Sequence, residues 1–228
     1  MLYTETNVRD NLRNRNGQRV FYLGKGDQLT SGARDFLTRE RIPILPAEQA
    51  KPEAWRLLNG GMVTEKPEHM THLNGEVLVS KTHPRIRFRG KLDTLEASLI
   101  RCQLRIPARQ EELGQILSLS REILRCDVLD SPLRDVKLLG LTEEELRRRS
   151  HFPQEYYHQP HFMPTASDGE AIAELNLTRC VAREAELEAV EAFADREDNP
   201  TRVDILRALN RISSALYLLM IQEKAKQA

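Results

Sequence analysis

Charged side chains interrupt an apolar row on a long predicted helix near the end of the chain. Arg179 and Glu186 occupy two positions of a row with 3-4-3-4-3-4 spacing whose other members are Ile172, Leu175, Ala182, Ala189 and Phe193. Arg183 lies one turn after Arg179 and three residues before Glu186, so all three side chains can share one helix face. Buried charges are costly unless they are paired and hydrogen-bonded. The row therefore indicates either a structural ion-pair network or a polar ligand site, and both interpretations stay open.

Two further predicted helices carry polar residues in apolar rows. Asp93 begins a second row beside the main apolar row of its helix, followed by Ala97, Ile100 and Leu104. We expect this acid to face a largely buried environment, where pairing with Arg179 across the helices would neutralise both charges. On the last helix, Asn210 belongs to the row Val203, Leu206, Asn210, Ser213 and Tyr217. A third helix thus directs a polar group inward.

A basic segment precedes the first of these helices. Lys81, Arg85, Arg87 and Arg89 give four positive charges within nine residues. The segment fits either a solvated loop or a clamp for a polyphosphate, and both remain open. The chain contains neither a Walker-type GxxxxGK[ST] motif nor GxGxxG, so a nucleotide would require an unusual site.

Apolar periodicity predicts the helices that would position these residues. A stripe of period 3.5 runs through Phe88, Leu92, Leu95, Leu99, Cys102 and Ile106, and Pro107 ends that helix. Thr142 opens a short helix with a capping-box pattern. The other predicted helices cover residues 113–126, 168–194 and 203–224. Short connections favour antiparallel packing, so we predict an all-α bundle.

The beginning of the chain has a different pattern. We assign residues 1–75 to a small N-terminal lobe and linker, and residues 76–228 to the helical domain. The predicted elements of the lobe are a strand, a helix capped by Thr30 or Ser31, and a second extended segment: residues 19–23, 29–39 and 42–45. This order indicates a small α/β lobe. Three prolines and a Gly-Gly pair in residues 46–67 predict an irregular linker.

Composition excludes several classes of protein. The 228 residues contain 34 Lys and Arg and 34 Asp and Glu, so no basic excess points to nucleic acid or an anionic membrane. Cys102, Cys126 and Cys180 lie far apart and are expected to be reduced, and the His69–His72 pair lacks further ligands for zinc. The polar start and the absence of a long apolar run predict a cytoplasmic protein.

Three segments together resemble a known family. Gly90-Lys-Leu-Asp93-Thr-Leu-Glu-Ala97 is similar to the GTxDELN segment of propanediol-utilisation-type ATP:cob(I)alamin adenosyltransferases. Residues 179–186, RCVAREAE, resemble the RTxxRRAE signature of that family, and residues 209–213, LNRIS, resemble its LNRLSD segment. The ethanolamine-utilisation branch is the most similar, through residues 29–34, 81–89, 139–143 and 163–169.

The resemblance implies a five-helix bundle that forms a homotrimer, with active sites between neighbouring subunits. It implies ATP, Mg²⁺ and reduced cobalamin as ligands, and transfer of the 5′-deoxyadenosyl group to cobalt. The partners implied are a cobalamin reductase and an adenosylcobalamin-dependent enzyme, here for ethanolamine catabolism. Association with a bacterial microcompartment is left open.

The resemblance also implies roles for individual residues. Lys81 and Arg85 would hold the ATP phosphates. Arg179 and Arg183 would extend those contacts or position Asp93. Glu186 would serve the nucleotide or its Mg²⁺, and Asn210 would contact the nucleotide. The family covers the lower face of the corrin with a hydrophobic residue; an ungapped match places His161 there, with Phe162 next to it, and both are candidates.

The chain departs from the family pattern at several positions. Glu184 replaces an arginine of the signature, and Ser214 replaces an aspartate. The N-terminal glycine-rich phosphate segment is not recognisable. The His and CCxxC cluster carried by many members of the ethanolamine branch is missing, so we predict activity without bound iron or zinc.

The implied chemistry matches the residues available. Cob(I)alamin is itself the nucleophile, so the protein needs cations for the leaving triphosphate and in-line positioning rather than a nucleophilic side chain. Two alternatives remain: a non-catalytic cobalamin chaperone or microcompartment assembly protein, and a nucleotide-binding regulator.

Overall fold

The computed structural model is mostly helical, with a small region of strands near the N terminus, and it describes residues 1–15, 17–50, 54–134 and 136–227. Its contacts divide the chain into a first unit, Met1–His83 with Arg125–Ser131, and a second unit, Pro84–Leu124 with Pro132–Ala228. The strands and helices in chain order are β1 Leu2–Tyr3, α1 Glu5–Asp10, β2 Arg13–Arg15, β3 Gln18–Leu23, β4 Gln28–Leu29, α2 Ser31–Arg39, β5 Ile44–Pro46, β6 Trp55–Leu57, β7 Met62–Val63, β8 Met70–Asn74, β9 Val77–Ser80, α3 Pro84–Arg105, α4 Gln110–Val128, α5 Glu143–His151, α6 Pro153–Tyr157, α7 Glu170–Ala192 and α8 Val203–Ala225.

The first unit contains the predicted strand–helix–strand arrangement. Strand β3 pairs antiparallel with β2 and parallel with β5, and α2 provides the crossover that parallel strands require. Helix α2 begins after Thr30, whose hydroxyl accepts a hydrogen bond from the Ala33 amide at 3.3 Å. Phe21 and Phe36 are fully buried in the small core of this unit. The predictions for this stretch are confirmed.

The prediction of an irregular linker over residues 46–67 is wrong. Residues 47–50 form a 3₁₀ turn, and β6 and β7 form a hairpin in a four-stranded sheet ordered β7-β6-β9-β8. Gly60 adopts a φ of +85°, and the Leu57 amide donates to the Gly61 carbonyl, so the glycine pair makes the hairpin turn. Residues 51–53 of this predicted segment lie outside the described residues.

The second unit is built around α3, α7 and α8. Helix α3 buries the predicted stripe, with Leu92, Leu95 and Leu99 fully inaccessible to solvent. Facing residues come from the other long helices: Leu113, Ile116 and Ile123 of α4, Ile172 and Leu175 of α7, and Leu209, Ile212 and Leu216 of α8. Among the described residues, no helix has both the length and the apolar character to cross a bilayer.

The second apolar row of α3 is not buried as we expected. Asp93 and Ala97 are exposed, and Leu104 is 76% exposed. Asp93 and Ile100 follow a buried residue by one position, and Ala97 and Leu104 follow one by two, so the row is rotated about 100° to 200° around the helix axis from the buried stripe. Helix α3 therefore buries one stripe and leaves the adjacent row on the surface.

A buried carboxylate ties the segment before α7 to the last helix. Asp168 is 5% exposed; its carboxylate accepts from Lys224 Nζ at 2.6 Å and from the Thr165 amide at 2.6 Å. Gln227 donates to the Asp168 carbonyl at 2.8 Å. The hydrogen bond from Lys224 is the main reason that the pKa of Asp168 is lowered to about 2.

This carboxylate should make stability depend on pH. A carboxyl group with a lowered pKa stabilises the folded state above the ordinary Asp value of about 3.9 and loses that effect as the pH falls towards about 2. We expect Asp168→Asn to lower the free energy of unfolding in urea at neutral pH, with a deficit that shrinks below about pH 4. The exposed Glu197→Gln is the control and should change little. An Asp168→Asn protein as stable as the wild type at neutral pH would contradict this role.

Candidate active site in the helical unit

A pocket of about 550 Å³ in the second unit gathers five of the nine residues singled out in the sequence. It is bordered by α5, α7, α8 and the segment before α7. Its lining residues are Ser150, His151, His161, Arg179, Arg183, Glu186, Leu187, Val190, Asn210, Ser213, Ser214 and Tyr217. A larger open depression of about 840 Å³ lies near the turn between α3 and α4, and none of the predicted residues lines it.

The charged residues of α7 lie at the edge of the core rather than inside it. Ala182, Ala185 and Ala189 are fully buried, whereas Arg179 and Glu186 are half-buried and Arg183 is exposed. The expectation of charges turned into the apolar interior is therefore wrong. Small alanines fill the buried stripe, and the longer charged side chains next to it reach the pocket.

The two arginines of the pocket have no acidic partner among the described residues. Arg179 donates from Nη2 and Nε to Asn176 Oδ1, at 2.9 and 3.3 Å. Glu186 accepts from the Asn210 side-chain amide at 3.0 Å instead of pairing with either arginine. Of the two interpretations of these charges, a structural ion-pair network does not match this geometry, whereas a site for an anion does.

The structure does not bring Asp93 to Arg179 within the chain. Asp93 lies on the exposed side of α3, and the face of α3 next to α7 is occupied by other pairs. Ser98 and Thr178 share a buried hydrogen bond of 2.9 Å, and Lys91 Nζ lies 2.8 Å from Glu184 Oε2. The predicted Asp93–Arg179 pair within one chain is therefore wrong. Glu184, one of the departures from the family signature, is a partner of α3.

Lys81 and Arg85, the two residues that the resemblance assigns to the ATP phosphates, do not line this pocket. Arg85 is in the first turn of α3, with its guanidinium 5.8 Å from the centre of the Phe193 ring. Lys81 belongs to the first unit, where its Nζ lies 3.9 Å from Glu68 Oε2 and its amide donates to the His69 carbonyl.

His161, rather than Phe162, lines the pocket. The imidazole stacks on the Tyr217 ring with centroids 5.7 Å apart, and its Nδ1 lies 2.7 Å from the Tyr217 hydroxyl. Its Nε2 lies 3.1 Å from the His151 carbonyl. Phe162 packs against the core instead, with Lys224 Nζ 6.0 Å from its ring centre.

Tyr217 and Ser214 are lining residues to which we assigned no role in the site. A signal for Tyr217 existed, since it lies seven residues after Asn210 in the same row of α8. Burial raises the pKa of Tyr217.

The described residues contain no group of three or more His, Cys, Asp or Glu side chains placed to hold a metal. In the first unit, Trp55 Nε1 donates to His72 Nε2 at 3.0 Å. Cys102 and Cys126 are buried, and Cys180 is exposed.

Comparison with known proteins identifies relatives of this chain. Residues 62–223 match the model of the cobalamin adenosyltransferase family. The chain is 34% identical to the corrinoid adenosyltransferase EutT of Salmonella typhimurium, over 98% of this chain and 92% of that protein. It is 39% identical to the corrinoid adenosyltransferase EutT of Escherichia coli K12, over 80% of this chain and 69% of that protein.

The contacts of His161 predict its tautomer. A backbone carbonyl only accepts, so in the neutral ring Nε2 carries the proton and Nδ1 accepts from the Tyr217 hydroxyl. Tyr217→Phe keeps the stacked ring and should cost about 1 kcal/mol of stability while leaving Nδ1 without its donor. Nitrogen-15 NMR of the ring should show a hydrogen-bonded Nδ1 acceptor in the wild type and in the Tyr156→Phe control, and a weaker hydrogen bond in Tyr217→Phe. A wild-type neutral ring protonated at Nδ1 would contradict the assignment.

Proposed function

Because this chain belongs to the cobalamin adenosyltransferase family, we propose that it transfers the 5′-deoxyadenosyl group of ATP to cob(I)alamin. The products are adenosylcobalamin and triphosphate. The observation that carries the proposal is the pocket on α7 and α8, in which a glutamate and an asparagine lie together with two arginines that have no acidic partner in the described part of the chain.

The reaction needs electrostatic stabilisation of the leaving group rather than a nucleophilic side chain. The electron pair of cobalt forms the Co–C bond at C5′, and the C5′–O bond breaks with its electrons going to the triphosphate. Charge develops on that leaving group, and guanidinium groups fixed at its oxygens stabilise it. Arg179 and Arg183 fill this role in our proposal, with Asn210 on the nucleotide.

Glu186 is proposed to serve the nucleotide directly or through Mg²⁺. Its Oε1 accepts from Asn210, and among the described residues no contact engages its Oε2. A carboxylate oxygen of this kind suits a hard cation that also binds phosphate oxygens. We propose that iron and zinc are not required.

We propose that the active protein is a homotrimer with sites between subunits. Asp93 is exposed and has no ion-pair partner among the described residues, and exposed Ile100 and Leu104 follow it along α3. An apolar row on the surface of a helix favours contact with another protein surface. In the trimer, Asp93 meets Arg179 of a neighbouring copy, and Lys81 and Arg85 complete the phosphate site.

The helical domain is proposed to be a five-helix bundle of α3, α4, α5, α7 and α8, and the strand-rich beginning a separate small lobe. The proposed setting is the cytoplasm, where a cobalamin reductase supplies the substrate. An adenosylcobalamin-dependent enzyme of ethanolamine catabolism would use the product.

His161 is proposed to cover the lower face of the corrin. Its ring lies flat against Tyr217, and both of its nitrogens are engaged within the protein. Such a ring excludes water and other axial ligands without binding cobalt itself. Removing the axial ligand makes reduction to Co(I) easier.

Turnover of purified protein tests the proposed reaction. With ATP, Mg²⁺ and chemically reduced cobalamin we expect a product with a light-sensitive Co–C bond. Arg179→Ala and Glu186→Ala should each lower kcat by about 10²-fold or more, as loss of a charge-stabilising group does in other enzymes. Arg196→Ala removes an exposed arginine outside the pocket and should leave turnover unchanged. ATP binding without turnover would favour the regulator, and cobalamin binding alone the chaperone.

The spectrum of cob(II)alamin tests the assignment of the loop. With ATP bound, the wild type should show a four-coordinate species. His161→Ala should abolish it, whereas Phe162→Leu should retain it because Phe162 packs against the core. The opposite pattern would assign the role to Phe162.

A further inference from the structure

Arg211 lies directly behind the pocket and has no role in the proposed reaction. The residue is only 8% exposed, and no carboxylate lies within ion-pair distance of its guanidinium among the described residues. Its Nη1 donates to the Glu143 carbonyl at 3.1 Å, and its Nη2 donates to Asn210 Oδ1. Its Nε is buried without a hydrogen-bond partner in the described part of the chain. A buried cation whose hydrogen bonds go only to neutral oxygens is costly, which favours a role beyond packing.

The contacts of Asn210 link this cation to the pocket. Asn210 Oδ1 accepts from Arg211, while Asn210 Nδ2 donates to Glu186 Oε1 at 3.0 Å. A guanidinium group can only donate, and a carboxylate can only accept. The amide between them therefore has a single orientation that satisfies both neighbours. Turning it over would place two donors together on one side and two acceptors on the other.

We propose that Arg211 is a positioning residue that fixes the Asn210 amide and, through it, the carboxylate of Glu186 for binding the nucleotide. This inference rests on the proposed function, because it takes ATP with Mg²⁺ as the ligand of Glu186. The carboxylate is held by one oxygen and presents the other to the ligand.

The consequence of losing Arg211 follows from the amide. Without the guanidinium, only Glu186 holds the Asn210 amide, and the amide can rotate away and withdraw its donor from Glu186 Oε1. Glu186 then leaves its bound position, and the nucleotide loses a prearranged partner. The loss should appear mainly as weaker binding of the nucleotide, since Arg179 and Arg183 remain in place.

A double-mutant cycle tests the series of contacts from Arg211 through Asn210 to Glu186. The dissociation constant for ATP with Mg²⁺ is measured by calorimetry, without cobalamin, for the wild type, Arg211→Met, Asn210→Ala and the double variant. We expect each single change to weaken binding about tenfold, and the double variant to bind no more weakly than Asn210→Ala alone. Arg211→Lys, which keeps a donor for Asn210, should recover part of the affinity.

Control variants separate positioning from stability. Arg109→Met removes another buried arginine, one bonded to Glu223 and Glu112 and absent from this pocket; it should lower stability without weakening ATP binding. Additive losses in the cycle, or unchanged affinity in a folded Arg211→Met, would overturn the inference alone. If Arg211→Met does not fold, the test uses Arg211→Lys and Asn210→Ala instead. A wild-type affinity for ATP in Asn210→Ala would then overturn the inference. Failure of the wild type to bind ATP would instead overturn the proposed function.

Discussion

The register of α7 against α3 determines which side chains reach the pocket. The two helices run antiparallel, and the buried Ser98–Thr178 hydrogen bond lies at the centre of their contact. On either side of it, ion pairs continue the same register: Lys91–Glu184, Arg87–Glu188 and Arg101–Glu174. Such exposed pairs each add little stability. Together they favour one alignment of the helices.

That alignment leaves the functional charges of α7 on the side facing α8. The buried alanines 182, 185 and 189 allow close packing, and Arg179, Arg183 and Glu186 then border the pocket with Asn210. Within one chain the acids of α3 do not neutralise these charges, because Asp93 lies on the exposed side of the helix and Glu96 pairs with Arg121. The positive charges of Arg179 and Arg183 thus remain available for a ligand. The buried Arg211 supports the carboxylate of Glu186 through Asn210.

Much of the fold can be predicted from the sequence, because the period of the apolar residues and the helix-capping residues are local signals. The stripe from Phe88 to Ile106 and the Thr142 cap are found where the spacing puts them. The sequence could not tell that Asp93 faces outward, since two adjacent rows on α3 are both apolar and only tertiary packing selects one. The glycines at 60 and 61 suggested a linker because turn signals do not say whether the flanking residues pair. Two sets of contacts depend on how separate segments pack, which the spacing of residues in the sequence does not determine. They are the series from Arg211 through Asn210 to Glu186, and the contact of His161 with Tyr217.

The structure of the protein crystallised with Mg²⁺ and an ATP analogue that cannot react tests the central claim most directly. The account predicts the triphosphate within hydrogen-bonding distance of the Arg179 and Arg183 guanidinium groups, with Glu186 turned towards the nucleotide or its Mg²⁺. A triphosphate bound elsewhere, with these arginines still facing solvent, would contradict it.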